Sequence, residues 1–214
     1  MPVPVTFDPD CAACPRLADY LNECRTKQPD YHAAPVAPFG VRSPGLLIVG
    51  LAPGYHGANA TGRPFTGDYA GELLYQTLHA FGFSTAPISV SQRDGLQLTD
   101  CRITNAVKCV PPQNKPTNDE IKRCNRFLKS EIIALREDTM ILALGKIAHD
   151  SVLRALDLRL SRYKFAHGAF HDLDGRKLID SYHCSRYNTQ TGRLTREMFE
   201  SVFATIAQKL GRAQ

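Results

Sequence analysis

Four short apolar runs recur along the chain, separated by segments whose apolar residues return every three or four positions. The runs, residues 46–51, 103–107, 140–144 and 177–182, have the length of buried parallel strands. Helical spacing occupies residues 15–25, 72–83, 118–136, 146–156 and 195–210. Strands that alternate with helices indicate right-handed βαβ units. We therefore expect an α/β fold, a three-layer αβα sandwich around a four-stranded, mainly parallel, doubly wound sheet.

The chain shows no internal repeat and no low-complexity tail. Its 214 residues, 43% of them hydrophobic, suit one domain with a substantial core. A proline-containing connector, residues 31–44, separates the first predicted helix from the first predicted strand. We expect residues 1–214 to form a single domain in which residues 1 to about 44 are an N-terminal arm.

Charge and cysteine content narrow the functional class only slightly. The 26 Lys and Arg residues exceed the 21 Asp and Glu residues, and the net charge of +5 is compatible with a polyanionic partner without requiring one. No apolar run is long enough to span a membrane, and the N-terminus lacks the basic-then-apolar order of a signal peptide. We expect a cytoplasmic protein whose seven cysteines are metal ligands or catalytic thiols rather than disulfides.

A glycine-rich stretch, residues 50–71, joins the first predicted strand to the next helix. Glycines allow tight turns and close approach of main chain to a ligand, and N–H groups near a helix start favour anions. The stretch also carries six polar or aromatic side chains: Tyr55, His56, Asn59, Arg63, Phe65 and Asp68. Loops of this length are usually functional or disordered. We interpret this one as part of an active site.

Polar residues follow two other predicted strands where those strands end. Ligands in open α/β sheets bind beyond the carboxyl ends of the strands, the edge to which Asn105, His183 and the glycine-rich stretch all belong. Taken singly, Asn105 could form an Asx turn and His183 could be a structural histidine. Taken together, they favour a functional site.

The segment 183–193 is rich in hydrogen-bonding side chains. Such groups bind nucleic-acid phosphates, and aromatic rings stack on bases or wedge between them. The residues concerned are Ser185, Arg186, Tyr187, Asn188 and Arg193. A solvated loop with a helix cap at Thr195 explains the composition equally well. The position beside His183 favours the nucleic-acid interpretation.

Two pairs of cysteines have the spacing of metal ligands. Cys11 and Cys14 can reach one metal, and Cys109 and Cys124, which are separated by fourteen residues, can be brought together by a loop. Four thiolates bind zinc or an iron–sulfur cluster, although zinc sites more often contain two Cys-x-x-Cys pairs. Buried cysteines without a ligand are the next alternative, and a disulfide is the last.

Several of these motifs, in this order, resemble the uracil-DNA glycosylase superfamily and, within it, the iron–sulfur-containing family-five (type b) enzymes. The matching segments are residues 50–54, 62–68, 103–109 and 183–188, and the resemblance extends from Cys11 to the last helix. Leu51 stands where the family-four enzymes carry an acidic residue, which favours family five. Two departures are Cys184, where the family usually has proline, and Gly54, where family five often has alanine.

The resemblance implies hydrolytic removal of uracil, and of hypoxanthine and xanthine, from DNA, which leaves an abasic site. The target nucleotide must first be extruded from the duplex. Phe65 would stack on the base and Asn105 would read its Watson–Crick edge. The main chain at Ala52 and Gly54 would complete the base- and water-binding site.

Catalysis is expected to be shared by Asp68, which would stabilise the sugar cation and orient water, and His183, which would stabilise the departing base. The resemblance also implies a 4Fe-4S cluster between the N-terminal arm and the rest of the domain, with ligands Cys11, Cys14, Cys109 and Cys124. Loop 183–193 would bind phosphates of double-stranded DNA, single strands being an open alternative. We expect a monomer in the prokaryotic cytosol or nucleoid.

Two other functions compete with this interpretation. A nucleotide phosphate binder using residues 50–57 lacks both common glycine-rich phosphate-binding patterns. A non-catalytic iron–sulfur module that senses DNA damage would keep the cysteines but would need neither Asp68 nor Asn105.

Overall fold

One six-stranded sheet lies at the centre of the protein, whose computed structural model describes residues 6–212. The strands are β1 Phe39–Gly40, β2 Leu46–Gly50, β3 Cys101–Asn105, β4 Met140–Leu144, β5 Phe170–Leu173 and β6 Arg176–Ser181. Their spatial order is β1-β3-β2-β4-β6-β5, and the four central strands are parallel. The ends of the predicted domain, residues 1–5 and 213–214, lie outside the described range.

The predicted parallel strands are confirmed, but the predicted count of four is wrong because two short antiparallel strands extend the edges. β1 pairs with β3, and β5 pairs with β6. The sequence of β5, Phe-His-Asp-Leu, contains no apolar run, and both Phe170 and Asp172 are exposed, so the hydrophobic pattern did not predict this strand. It is joined to β6 by Asp174 and Gly175, whose φ angles of 52° and 103° match a two-residue type I′ turn.

Helices cover both faces of the sheet. They are α1 Pro15–Lys27, α2 Ala58–Thr61, α3 Tyr69–Ala80, α4 Asn118–Ile133, α5 Lys146–Ala155, α6 Arg186–Gln190 and α7 Arg196–Lys209. Alternate β2 residues enter two cores: Ile48 packs with α3 and α7, whereas Val49 packs with α4 and α5. The three-layer, doubly wound α/β fold is therefore confirmed. Among residues 6–212, no helix has the length and apolar character needed to cross a membrane.

The N-terminal arm is fastened to α4. The Arg16 guanidinium donates to both carboxylate oxygens of Glu120 at 2.7 Å, and Arg123 donates to the Ala13 carbonyl at 2.9 Å. Glu120 also closes a capping box with Thr117, which starts α4 at the predicted residue. These contacts hold the Cys11–Cys14 region against the segment that carries Cys124.

A buried charged network joins α5 to the β5–β6 edge. His149 Nδ1 lies 2.8 Å from one oxygen of Asp180, and its Nε2 lies 3.1 Å from the Tyr163 carbonyl. The other Asp180 oxygen lies 2.9 Å from His171 Nε2. Burial opposes charge on the His149 ring, but the Asp180 carboxylate outweighs it and raises the pKa of His149. Both ring nitrogens of His149 face acceptor oxygens, so the protonated ring can donate from each.

Candidate active site

A cavity of about 410 Å³ opens at the carboxyl ends of β2 and β3 and beside the segment that follows β6. This is the sheet edge at which the fold class places ligands. The structure brings eight of the predicted residues to its walls: Ala52, Gly54, Phe65, Asp68, Asn105, His183, Ser185 and Arg186. Residues that lie between positions 52 and 186 of the sequence thus contribute to one site because three strands end at the same edge.

Phe65 and Asn105 converge over the end of β2. A Cβ atom on Gly50 would lie 2.4 Å from Asn105 Oδ1 and 2.7 Å from the Phe65 ring, so only glycine lets both side chains approach this main chain. Phe65 has a left-handed φ of 52°, which is uncommon for an aromatic residue. Asn105 is 3% exposed, and its Oδ1 has no hydrogen-bond partner among residues 6–212. A buried amide oxygen without a partner suits recognition of a ligand donor.

Asp68 caps the N-terminus of α3 and faces the glycine-rich segment. One carboxylate oxygen accepts a 3.1 Å hydrogen bond from Gly71 N. The other packs so closely on Gly57 that a Cβ there would lie 2.2 Å away. Burial raises the pKa of Asp68, and hydrogen bonds from the Gly71 and Ala70 backbone offset this only partly. Main-chain N–H groups thus hold the carboxylate, and no cationic side chain among residues 6–212 is a cause of its pKa shift.

His183 lies against the same aromatic ring. Its imidazole stacks on Phe65 with 5.8 Å between ring centroids and 27° between planes. Burial lowers the pKa of His183 to about 4, so the ring is neutral near pH 7 and can donate one hydrogen bond. Asn188 Nδ2 donates to the His183 carbonyl at 2.8 Å, and the Cys184 thiol donates to the Ala70 carbonyl at 3.3 Å. The Cys184 thiol, at a position where the family usually has proline, therefore connects the segment that carries His183 (the histidine loop) to the first turn of α3.

The segment after His183 forms the short helix α6 instead of the expected loop. Ser185 caps it by accepting from Asn188 N at 3.5 Å, a long hydrogen bond. Arg186 lies over the Tyr69 ring at 5.4 Å, and Tyr187 is 70% exposed. Ser185 and Arg186 reach the cavity, whereas Tyr187, Asn188 and Arg193 lie outside its walls. Arg193 is exposed and lies 4.7 Å from the Tyr182 ring.

Asn114 is a cavity residue that the sequence did not reveal. It ends the turn Pro112–Asn114, in which Gln113 and Asn114 both have left-handed φ angles, 56° and 57°. Asparagine tolerates this conformation better than most residues, and the two preceding prolines signal a turn. Only the fold shows that this turn reaches the site.

The four predicted cysteine ligands line a second, smaller cavity beside the N-terminal arm. Burial, with the other thiols adding to it, raises the pKa of Cys109 to about 12. Lys108 N donates to Cys124 Sγ at 3.3 Å, and the Arg126 guanidinium donates to Cys11 Sγ at 3.6 Å. N–H donors aimed at sulfur are typical of metal-bound thiolates, whose charge the metal supports. None of the seven cysteines, all within the described range, forms a disulfide.

Four cysteine thiolates can hold either a zinc ion or an iron–sulfur cluster. Among residues 6–212, the potential ligand side chains of which three lie within 4.8 Å of one another are His149, His171 and Asp180, so the cysteines do not form a group as tight as this one.

The comparisons with known proteins agree on one family. The family model for the uracil DNA glycosylase superfamily matches residues 37–207. A type-5 uracil-DNA glycosylase of Thermus thermophilus is 46% identical over 94% of each chain. Proteins of the same description from Mycobacterium leprae and Pyrobaculum aerophilum are 43% and 39% identical over 94% of this chain and 92% and 90% of their own.

Members of a second type are more distant. A type-4 uracil-DNA glycosylase of Archaeoglobus fulgidus is 31% identical over 79% of this chain and 78% of its own. The family model and the type-5 relatives both extend over the cavity and its strand-end residues. The chain therefore belongs to the uracil-DNA glycosylase superfamily, a family of enzymes that hydrolyse N-glycosyl bonds in DNA, and groups with its type-5 members.

Proposed function

We propose that this enzyme removes uracil, and other deaminated bases such as hypoxanthine and xanthine, from DNA and leaves an abasic site. The observation that carries the proposal is the buried Asn105 Oδ1, which has no hydrogen-bond partner in the described part of the chain; Asn105 lines a cavity also lined by Phe65 and His183. A base has the donors and acceptors that such an amide can satisfy, and a flat face that an aromatic ring can cover. The names of the type-5 and type-4 relatives support uracil as the first base to test.

The base is captured after extrusion, because a duplex hides the N-glycosyl bond from any side chain. Phe65 stacks on the extruded base, and the Asn105 amide pairs with its Watson–Crick edge. The absence of a side chain at Gly50 keeps the ring and the amide close enough to contact one base. Ala52 and Gly54 supply main chain beneath it.

Hydrolysis separates charge, and we assign one of the two titratable residues to each end of the breaking bond. The sugar becomes cationic, which the Asp68 carboxylate stabilises while it orients water. The base departs with the bonding electrons, and the neutral His183 ring donates to its oxygen. Water then adds hydroxide to the sugar carbon and delivers its proton to the base.

The cysteine set Cys11, Cys14, Cys109 and Cys124 would hold a 4Fe-4S cluster. When bound, the cluster supplies a covalent cross-link between the N-terminal arm and α4, and we assign it no part in the hydrolysis. The buried thiols and the N–H donors beside them support this assignment. Residues 1 to about 44 then act as the cluster-binding arm of a single domain, 1–214.

Arg186 and Ser185 at the cavity wall, with Tyr187, Asn188 and Arg193 beyond it, would hold the DNA backbone. We propose that the enzyme acts as a monomer in the prokaryotic cytosol or nucleoid. Duplex DNA is the expected substrate, and a single-stranded uracil oligonucleotide tests whether a duplex is required.

Incubation with a duplex containing one uracil, followed by alkaline cleavage of abasic sites, tests the proposal. We expect strand cleavage with uracil and none with the matched thymine duplex, and His183→Ala should slow single-turnover excision by about 100-fold. The same assay with hypoxanthine and xanthine duplexes defines the range. Tight DNA binding without any base removal would instead support the non-catalytic damage sensor.

A further inference from the structure

The loop between α3 and β3 exposes two aliphatic side chains beside the active-site cavity. In this 86–94 loop, Ile88 is 64% exposed and Val90 is 62% exposed. Single exposed apolar residues are common on protein surfaces, but two on one loop at the mouth of a site form a patch that can bind a partner.

Polar contacts inside the 86–94 loop fix this exposure. Arg63, which is 4% exposed, donates to the Asp94 carboxylate at 2.8 Å and to Ser89 Oγ at 2.9 Å. Asp94 also accepts from the backbone of Val90 at 2.8 Å. The Ser89 side chain binds these partners, whereas its neighbours Ile88 and Val90 are exposed. The two aliphatic side chains are therefore held on the surface by a buried ion pair.

The same contacts connect the loop to the base-stacking residue. Ser89 Oγ lies 2.8 Å from Thr66 Oγ1, so Arg63 and Thr66, on either side of Phe65, both bind Ser89. The position of Ile88 and Val90 relative to the Phe65 ring is consequently fixed. A strand whose base stacks on Phe65 would meet the loop at a constant distance.

A groove of about 690 Å³ runs from the loop to the cavity. Its walls include Ile88 and Val90, and it shares Asp68, Tyr69 and Arg186 with the cavity. The groove also contains Glu72, so its charges do not favour phosphates along its length. Apolar side chains beside carboxylates suit the sugar and base faces of a nucleic acid, with the phosphate contact left to Arg186.

We propose that Ile88 and Val90 form an apolar ridge that packs against sugars and bases of the DNA strand next to the extruded nucleotide. The ridge rests on the proposed function, since it uses the DNA that the cavity would engage. Aliphatic side chains serve as wedges in other DNA-binding proteins because they cover the faces of unstacked bases. Rigid support from Arg63 and Asp94 lowers the entropy lost when the contact forms.

Fluorescence anisotropy with a uracil-analogue duplex, fluorinated at the sugar so that it resists cleavage, tests the ridge in the full-length enzyme. The double variant Ile88→Ser/Val90→Ser should weaken binding about tenfold between about 50 and 200 mM salt, without changing the salt slope. Arg186→Ala should weaken binding and lower that slope by about one. The two variants thus separate an apolar contact from a phosphate contact.

Two control variants test whether the loss of affinity is specific to the apolar ridge. Ile133 is 62% exposed at the end of α4, which leads to the amino end of β4, whereas the cavity lies at the carboxyl ends of the strands. The Ile133→Ser variant should therefore bind DNA like the parent. Ile88→Leu/Val90→Leu keeps the apolar surface and should retain affinity, with thermal unfolding checked for every variant. Affinity of the double serine variant within about twofold of the parent would overturn the ridge. A parent that binds the duplex but excises no uracil would refute the proposed function. The affinities of the variants would still decide whether the ridge contacts DNA.

Discussion

We assign stabilisation of the sugar cation to Asp68 and of the departing base to His183, and the bases should differ in how much they depend on each. Uracil leaves as a comparatively stable anion, whereas hypoxanthine is a poorer leaving group and depends more on stabilisation of the sugar. Asp68→Asn should therefore slow hypoxanthine excision at least about tenfold more than uracil excision, and His183→Ala should slow both. Single-turnover rates on the two duplexes measure this, with binding to the uncleavable duplex as the control. Rates equal to the parent on every base would transfer the role of Asp68 to water held by main chain.

The acid limb of the pH–rate profile should belong to Asp68. Burial raises the pKa of Asp68, so protonation should reduce activity at a pH above the ordinary aspartate value of 3.8. His183 is already neutral above about pH 4, where its lowered pKa lies. We expect the limb to persist in His183→Ala and to disappear in Asp68→Asn when excision is measured across pH. Loss of the limb in the histidine variant instead would assign it to the imidazole.

Among single residues, the sequence predicted cavity residues whose chemistry and position are both visible in it: Asn105 and His183 at strand ends, and Asp68 in the glycine-rich stretch. It did not predict Asn114, because a left-handed turn brings that side chain to the cavity. Nor did it indicate Ile88, whose exposure depends on a buried ion pair between distant residues. Contacts that arise from turns and side-chain clamps leave little signal in periodicity.

Among the elements, apolar runs located every parallel strand but not every boundary. β3 begins at Cys101, two residues before the predicted start, because the half-buried Arg102 interrupts the apolar pattern. Its guanidinium donates to the Gly40 carbonyl at 3.2 Å, a contact with an edge strand too short to predict. The helices α2 and α6 escaped prediction for a similar reason, since four or five residues are too few to show a period.

The element that depends most on the four cysteines is the N-terminal arm. Purified protein should be brown and contain iron, which absorption in the visible range and metal analysis will show. Preparation without oxygen is needed because clusters are sensitive to oxidation. Stoichiometric zinc without iron in such material would contradict the cluster.

Cys124→Ala should reduce the yield of folded protein more than it alters excision by each folded molecule. Cys124 lies on α4, is 8% exposed and lines the small cavity beside the arm, away from the walls of the active-site cavity. Rates normalised to active-site concentration separate the two effects, and Cys101→Ala, at a buried cysteine outside the set, is a matched control for core truncation. A normal yield with a large loss of rate would instead connect the cluster to the chemistry.

Over the whole molecule, the segments around the sheet are each held in place by their own side-chain contact. The arm is held by the Arg16–Glu120 pair, the 86–94 loop by the Arg63–Asp94 pair, and the histidine loop by Cys184. Each fastening is a side-chain contact between segments far apart in sequence. Sequence periodicity therefore establishes the layers, whereas the relative placement of the site's walls follows from tertiary contacts.

The His149 network has a consequence for proton uptake during folding. The pKa of His149 is raised above its ordinary value of 6.5, so the folded chain keeps a proton that the unfolded chain releases. The stability from this proton is complete below pH 6.5 and is lost as pH rises through the folded pKa. His149→Gln should therefore lower the melting temperature most at mildly acidic pH, and the difference between parent and variant should narrow as the pH rises above 6.5. A difference in melting temperature that stays constant with pH would mean that folding does not raise the pKa of His149. A difference that narrows would mean that mildly alkaline solution weakens the contacts between α5 and the β5–β6 edge.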